Sequence, residues 1–564
     1  MSDVTLLKDT DTNPSSTKSK NQIPETQIKD IQLKEDPFAL TVLTHRLPTT
    51  CSYCLKVSNQ SLNQELHLLR CSKCKFVYYC NGECQTSDWS HHKRECQRIR
   101  RFHSLMDEKG IVRRFPPGLI QDGQESAMLQ FPDEALRLVA RLMDVWNRKE
   151  TKAYESSGRN LAMLETHEED IEKNEVTREQ FRRFSAMYDF FCTGDGSGGC
   201  PEYETSKLMK MYGLCRSNAF CVKDSKFEPI GCGIYLNLRR IQHSCLPNAR
   251  IVFQGRHASI VVFVDPNEHG ELIKPKITSY DQIRCCYMDV LIPLQERRKK
   301  LKEMHFFDCQ CELCKGEVEQ WRYDCMEGLR CDSADWCDGI VVWQENGKNS
   351  EEKEKNTGGN FEEGQFKCRL CGKIYDDQEN VKTIFKLTKE ILDSPQTKKR
   401  AIEELRWAKE VYANLACMQI PTFHPFNVYR IRTMKESYET ACRLGNWVDA
   451  ASYGMEVLDG YKMYFNKYSD PEFATVALNV ARAQINTKNS MNLKNALTLL
   501  IDSKLCFDYA FGSESERSRE VDGLMKFCKN LMESGNEQME QVKMEESVDM
   551  LKDLMDKMFG KVNV

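Results

Sequence analysis

Residues 239–250 read "RRIQHSCLPNAR". Cys245 stands there between a small polar residue and a Leu-Pro-Asn turn signal, a poor setting for core filling. It reads better as a metal ligand whose partners lie elsewhere in the chain. The stretch "FFDCQCELC" supplies Cys309, Cys311 and Cys314. Three thiolates leave a tetrahedral zinc one ligand short, and Cys245 can complete the set. Spacing alone leaves Cys325 and Cys331 as competitors. With Cys245 as the fourth ligand, a metal pins "HSCLPN" against the segment carrying Phe306 and Phe307, and the space between them becomes an organised pocket.

The wider composition agrees with zinc. The chain has 564 residues, enough for several domains with their own cores. It carries 27 cysteines, many of them in C-x2-C pairs. The N-terminal "MSDVTLLKDTDTNPSSTKSKNQ" lacks the apolar stretch of a signal peptide. No run of apolar residues is long enough to span a bilayer. These features predict a nuclear and cytoplasmic protein, not a membrane protein, in a reducing compartment where clustered thiols bind metal in preference to forming disulfides. The formal net charge of -4 argues against a general nucleic-acid binder and leaves a local basic face open.

A second cysteine cluster occupies residues 51–96. "CSYC" gives Cys51 and Cys54, "CSKC" Cys71 and Cys74, "YYCNGEC" Cys80 and Cys84, and "HHKREC" His92 and Cys96. Eight ligands suffice for two closed, structural zincs, with His91 the competitor to His92. In so small a module, metal binding supplies most of the folding energy. Phe76, Tyr78, Tyr79 and Trp89 are its expected core. Lys73, Lys75, Lys93 and Arg94 form either a basic patch or an ordinary solvated face. A further set, Cys331, Cys337, Cys368 and Cys371, can form a ribbon-like site across the charged stretch "QENGKNSEEKEKNTGGNFEEG".

The chain divides by pattern into seven stretches. Residues 1–30 are polar and expected to be disordered. Residues 31–50 read as a strand and an extended lead-in, and 51–96 as the finger. Residues 97–217 turn helical, with Pro132 at a helix start and Ala135, Leu138, Leu142 and Val145 on its apolar face. Residues 218–290 are β-rich, as in "ARIVFQG" and "ASIVVFVD". Residues 291–371 are cysteine-rich, with 344–364 expected to be a disordered loop. Residues 375–545 read as helices, either ordinary packed helices or a tetratricopeptide-like array. The closing "MEESVDMLKDLMDKMFG" reads as an amphipathic helix. The fold class is α+β and multidomain.

Residues 51–96 closely resemble a MYND zinc finger. The resemblance implies interleaved zincs: Cys51, Cys54, Cys80 and Cys84 on one, and Cys71, Cys74, His92 and Cys96 on the other. It also implies peptide partners, often proline-rich, with DNA contact in some members. "IQHSCLPNA", "IRCCYMDVL" and "FFDCQCELC" together look like a SET domain with its post-SET tail. With the embedded finger, "EDPFA" at 35–39, "SNAF" at 217–220, "HPFNVY" at 424–429 and "ACRLGNWVDAASYGMEVL", the chain resembles the SET-and-MYND family of protein-lysine methyltransferases from about residue 30 to 510. The β-rich SET domain then holds the inserted finger, and 31–50 is its degenerate start.

That resemblance implies that Cys245, Cys309, Cys311 and Cys314 share a zinc, giving three ions, with a fourth at Cys331, Cys337, Cys368 and Cys371. It implies S-adenosyl-L-methionine as cofactor, with Asn218, Gln242, His243, Asn248, Tyr287 and Phe307 around it and Tyr287 and His305 at the lysine channel. The residues alone leave Tyr287 open as a strand aromatic, Asn218 as a turn residue and Phe307 as core. Three positions depart from the family. The glycine-x-glycine stretch is replaced by Thr17, Lys18 and Ser19, Gln242 stands for asparagine, and His305 stands for a tyrosine. The expected activity is methylation of a lysine in a histone or another nuclear or cytoplasmic protein, by a monomer that also holds peptides on the finger and C-terminal helices. The alternative is a catalytically impaired scaffold that binds protein partners and regulates chromatin or transcription.

Overall fold

The computed structural model describes residues 34–58, 67–108, 132–147, 161–193, 204–267, 272, 273, 275, 277, 279–318, 320–333, 337–345, 364–394 and 402–533. The segment 1–30, the Thr17–Ser19 match and the closing amphipathic stretch lie outside these residues.

Strand β1 (Ala39–Val42) runs antiparallel to β5 (Pro229–Ile234), which also pairs with β4 (Phe220–Lys223), giving the order β1-β5-β4. Gly231 allows the close approach: a Cβ there would sit 2.7 Å from the Thr41 carbonyl oxygen. After β1 the chain does not stay extended. It forms a 3-10 helix, Thr44–Thr49, because Leu47 and Thr44 turn inward to be buried. The finger follows, with β2 (Leu69–Arg70) paired to β3 (Tyr78–Tyr79), and then helix α1 (Gly82–Glu108).

Helix α2 (Glu134–Asn147) begins after Asp133, whose carboxylate accepts the Leu136 N–H at 2.7 Å; Pro132 lies outside the helix. The apolar-face reading of this helix was too narrow. Leu138, Leu142 and Val145 are buried, Ala135 is exposed, and Arg137, Arg141 and Asp144 are buried as well. α2 is enclosed on nearly all sides because its charged side chains meet partners from β1 and α1. Arg141 donates to the Leu40 carbonyl (2.9 Å), to Asp88 (3.1 Å) and to Glu95 (2.6 Å). Arg98 of α1 makes a two-pronged pair with Asp144, at 2.7 and 2.8 Å. Arg137 donates to the Val42 carbonyl. A buried ionic network thus fastens the finger to the sheet.

Helices α3 (Glu168–Lys173), α4 (Glu175–Thr193) and α5 (Thr205–Asn218) complete the first layer. Strands β6 (Gln242–His243) and β11 (Arg284–Cys285) form a short parallel ladder, while β7 (Ala249–Gln254) and β8 (His257–Val262) form a hairpin. Gly255, at φ +61°, makes its turn and abuts the Cys54 carbonyl, and Arg256 lies 4.2 Å from the Tyr53 ring. The hairpin tip therefore touches the first cysteine cluster. β9 (Asp265–Pro266) and β10 (Leu272–Ile273) form a small antiparallel pair.

Helices α6 (Leu294–His305), α7 (Glu312–Lys315) and α8 (Gln320–Glu327) lead to a sheet of β12 (Leu329–Arg330), β13 (Ile340–Glu345) and β14 (Gly364–Cys368). The expected loop over 344–364 loses its rims to this sheet: Gln344 pairs with Gln365 and Glu345 with Gly364. Residues 346–363 lie outside the described chain.

Among the described residues, seven helices follow: α9 (Gln378–Asp393), α10 (Ile402–Thr422), α11 (Val428–Arg443), α12 (Trp447–Tyr464), α13 (Pro471–Asn486), α14 (Ser490–Phe511) and α15 (Glu516–Glu533). Their starts are marked by side-chain caps at Asp377, Asn427, Asn446, Asp470 and Asn489. The "LGNW" turn separates α11 from α12 through Gly445 at φ +69°. These helices clamp the β7–β8 hairpin. Arg250 pairs with Asp470 and Glu472, each at 2.6 Å, and the Tyr509 hydroxyl donates to the Val262 carbonyl at 2.9 Å.

Two main hydrophobic cores result. One holds the finger, the β1-β5-β4 sheet and helices α2 to α5. The other holds Cys245, Cys309, the β12-β13-β14 sheet and helices α9 to α13. Phe306 packs on the first core, and Phe307 and Tyr287 on the second. The residues quoted from the sequence for their chemistry therefore lie at the seam. Among the described residues, no helix is long and apolar enough to cross a membrane.

Candidate functional site

Among the described residues, four groups of metal-ligand side chains assemble, each with its donor atoms within 4.8 Å of one another. They are Cys51, Cys54, Cys80, Cys84; Cys71, Cys74, His92, Cys96; Cys245, Cys309, Cys311, Cys314; and Cys331, Cys337, Cys368, Cys371. A zinc with bonds of about 2.3 Å in a tetrahedron sets its sulfurs roughly 3.8 Å apart. Sulfur pairs at 3.7 Å (Cys54–Cys80), 3.9 Å (Cys71–Cys96), 3.6 Å (Cys245–Cys314) and 3.6 Å (Cys331–Cys371) match that spacing. Three of the groups offer four thiolates and the second offers three thiolates with an imidazole, donor sets that fit zinc in a closed structural site. The grouping takes His92 and leaves out His91, and takes Cys245 in preference to Cys325.

His92 shows how the finger orients a ligand. Its Nε2 lies 3.5 Å from the Cys74 sulfur, and its Nδ1–H donates to Glu95 at 2.9 Å. Glu95 has no solvent exposure. Burial alone pushes its carboxyl up; Arg141, His92 and Arg137 overcome that and hold it well below the usual carboxylate range. A fixed anion behind the imidazole sets its tautomer and ring plane.

The third group connects to the candidate site. The Tyr287 N–H donates to His243 Nδ1 at 3.0 Å, so the other ring nitrogen, Nε2, faces the Cys245 sulfur at 3.3 Å. Arg297 lies fully buried beneath. It donates to the Cys245 carbonyl at 3.0 Å, the Val290 carbonyl at 2.9 Å and the Ile292 carbonyl at 3.0 Å. One guanidinium thus ties the Cys245 turn to the segment after Tyr287.

Above it, His243, Tyr287, His305 and Phe307 form an aromatic group. Ring centroids are 5.2 Å apart for His243–Tyr287, 5.3 Å for Tyr287–His305, 5.9 Å for His243–Phe307 and 6.3 Å for His305–Phe307. The Tyr287 hydroxyl donates to the Ile241 carbonyl. Burial pushes its pKa up, so it stays a phenol at neutral pH. The His305 Nδ1–H donates to the Ser217 carbonyl at 2.9 Å. Burial, with the nearby Arg239, His243 and His167, brings His305 down to about 4. The imidazole is neutral at physiological pH and presents no charge to a cation.

The remaining expected residues divide. Asn218 is buried at the end of α5; its Nδ2–H groups donate to the Glu165 and Leu214 carbonyls, each at 2.9 Å, and its Oδ1 accepts from Arg239. α5 can approach the Glu165 segment because Gly213 lies against the Thr166 carbonyl, where any Cβ would overlap it. Asn248 is engaged with backbone: its Nδ2–H donates to the Gln282 carbonyl and its Oδ1 accepts from the Arg284 N–H, both at 2.8 Å. It holds the β11 segment beside β6. Gln242 is exposed, and its amide makes no hydrogen bond among the described residues.

Two residues at the site escaped the sequence reading. Arg297 sits in "QERRKK", which reads as a solvated helix face. Arg239 opens the quoted motif, yet its guanidinium reaches Asn218 and donates to the Tyr287 hydroxyl at 3.3 Å. Two adjacent arginines before a metal ligand were the available signal.

Comparison with known proteins accords with this geometry. Residues 51–96 match the model of the MYND finger. The chain is 23% identical over 475 residues to the human histone-lysine N-methyltransferase SMYD1, covering 82% of this chain and 78% of that one. It is 28% identical over 291 residues to human histone-lysine N-methyltransferase SMYD3, covering 51% of this chain and 56% of that one. Histone-lysine N-methyltransferase ASHR1 of Arabidopsis thaliana is 23% identical over 445 residues, covering 77% of this chain and 78% of its own. The finger, four thiolate-rich clusters that fit zinc and the helical C-terminal region together match the architecture of these relatives. The finger match and these relatives support a divergent member of the SET-and-MYND (SMYD) family, whose named members are lysine methyltransferases.

Proposed function

We propose that this protein is an S-adenosylmethionine-dependent lysine methyltransferase acting on a histone or another nuclear or cytoplasmic protein. The observation that carries the reading is the ring of His243, Tyr287, His305 and Phe307 at the seam between the two cores. Aromatic faces attract a sulfonium or ammonium cation, and Tyr287 and Phe307 supply them, with the two imidazoles packed beside them. When bound, S-adenosylmethionine supplies an electrophilic methyl group. Asn218, His243, Tyr287 and Phe307 would line its pocket, and exposed Gln242 has an amide ready to bond its polar end. Asn248 acts one step back, by holding β11 in place. Tyr287 and neutral His305 orient the amine, and partial burial lowers the cost of its losing a proton. The zincs hold the walls in register and touch no reacting atom.

Titration of the folded, zinc-loaded protein with S-adenosylmethionine in a calorimeter tests this. Saturable binding at one site per chain is the expected result; no heat and no protection from thermal unfolding would remove the activity.

Arg239 favours a second reading, in which the protein is a scaffold for protein partners. It is a permanent cation at the tyrosine where the amine must arrive. Two unit charges about 5 Å apart repel by roughly 3 kcal/mol at an effective dielectric of 20. The same field drives the proton off a bound ammonium. We therefore expect Arg239→Gln to tighten binding of a lysine peptide by up to about a hundredfold and to move the pH dependence of methyl transfer up to about two units higher. An unmoved profile places Arg239 away from the amine.

Metal content gives a further expectation. Mass spectrometry under native conditions should count four zinc ions per chain, Cys245→Ser should lose the third site, and Cys331→Ser should leave three ions with the fold intact. A count of three in the unaltered protein would remove the fourth site.

A further inference from the structure

The second zinc loop and helix α1 enclose a cavity of about 580 Å³. Arg70, Lys73 and Lys75 line it from the loop, and Arg100 and Arg101 from the helix. Buried Phe76 and Cys74 form part of its lining, with the half-buried His103 ring 6.4 Å from Phe76. Among the described residues, no acidic side chain lines it, although the whole chain carries a net charge of -4. Arg70, Lys73, Lys75 and Arg100 make no ion pair among the described residues. Arg101 donates to the Cys192 carbonyl and adds its charge from the wall. The patch differs from the one read in the sequence: Arg94 turns away to Asp144 at 3.3 Å, and Lys93 lies outside the cavity.

Next to this cavity is a smaller one of about 270 Å³, lined by Ser72, Lys73, Gln85, Thr86 and Trp89. Lys73 lines both, its ammonium 5.6 Å from the Trp89 ring. Like charges crowded without acids cost free energy unless an anion joins them.

We infer that the larger cavity binds an acidic peptide segment, whose clustered carboxylates meet Arg70, Lys75 and Arg100 while the neighbouring chain runs past Lys73 onto Trp89. A peptide fits better than a nucleic acid. The cations converge on a pocket a few residues wide, whereas a duplex requires a stripe of cations that follows many phosphates. This inference concerns the finger alone, so it stands or falls apart from methyl transfer.

The test measures anisotropy of a fluorescein-labelled hexaglutamate peptide with the full-length, zinc-loaded protein. A twelve-base-pair DNA duplex is measured beside it. Saturable peptide binding is expected, weakened at least tenfold in the combined variant Arg70→Glu, Lys75→Glu, Arg100→Glu. The control variant Lys488→Glu, Lys494→Glu, Lys526→Glu carries the same charge change in the C-terminal helical region and should shift affinity less than threefold. All six side chains are exposed, and an unchanged zinc count verifies the fold. Absence of peptide binding, equal weakening in both variants, or DNA binding tenfold tighter than peptide each overturns the inference.

Discussion

Arg141→Ala should destabilise the protein by about 3 to 5 kcal/mol, because it leaves buried anions without their cation. Arg141 is the hub between Asp88, Glu95 and the Leu40 carbonyl, and all three of these residues are buried. Glu95 in turn holds His92. The loss should therefore be seen first as release of the second zinc, followed by a chromogenic chelator, at denaturant concentrations where the unaltered protein keeps all its metal. Arg141→Lys should recover only part of the loss, since an ammonium cannot make the forked contact to both carboxylates. A shift below about 1 kcal/mol in Arg141→Ala would show that the network contributes little to attaching the finger.

Tyr287→Phe should lower methyl transfer about a hundredfold, the usual scale for removing one preorganised hydrogen-bond group from a reacting centre. The ring remains, so its contacts to His243, His305 and Phe307 persist. The Ile241 carbonyl loses its donor, which costs roughly 1 kcal/mol of stability. Cofactor affinity should stay within about threefold. Single-turnover rates with a radiolabelled methyl group separate these outcomes; a rate within a factor of three of the unaltered protein would take Tyr287 out of the chemistry.

How far these groups were legible depended on where their partners came from. The cysteine pairs were readable because a C-x2-C spacing already places two thiolates near one ion. The link from Cys245 to Cys309 crosses 64 residues and needed a family pattern to choose it over Cys325. Arg141 and Arg137 were invisible because an arginine on an amphipathic helix reads as solvent-facing. Only the approach of α1 and β1 buries them, and that approach is set by tertiary packing. Asn248 was placed near the cofactor by the family pattern; its backbone partners, Gln282 and Arg284, come from the 3-10 turn and strand 34 to 36 residues later and were not legible. His305 illustrates the limit for charge: a histidine in sequence is ambiguous near pH 7, and its burial against Ser217 makes it neutral.

The hairpin β13–β14 has a practical use. Its two strands are joined by the Glu345–Gly364 pairing, and the four cysteines that flank it gather at the far end. Both rims of the intervening stretch are thus anchored to the same small sheet. A fluorescent reporter or affinity handle grafted between residues 345 and 364 should leave the rest of the molecule to work as before, which makes this the place to label the protein for imaging or capture.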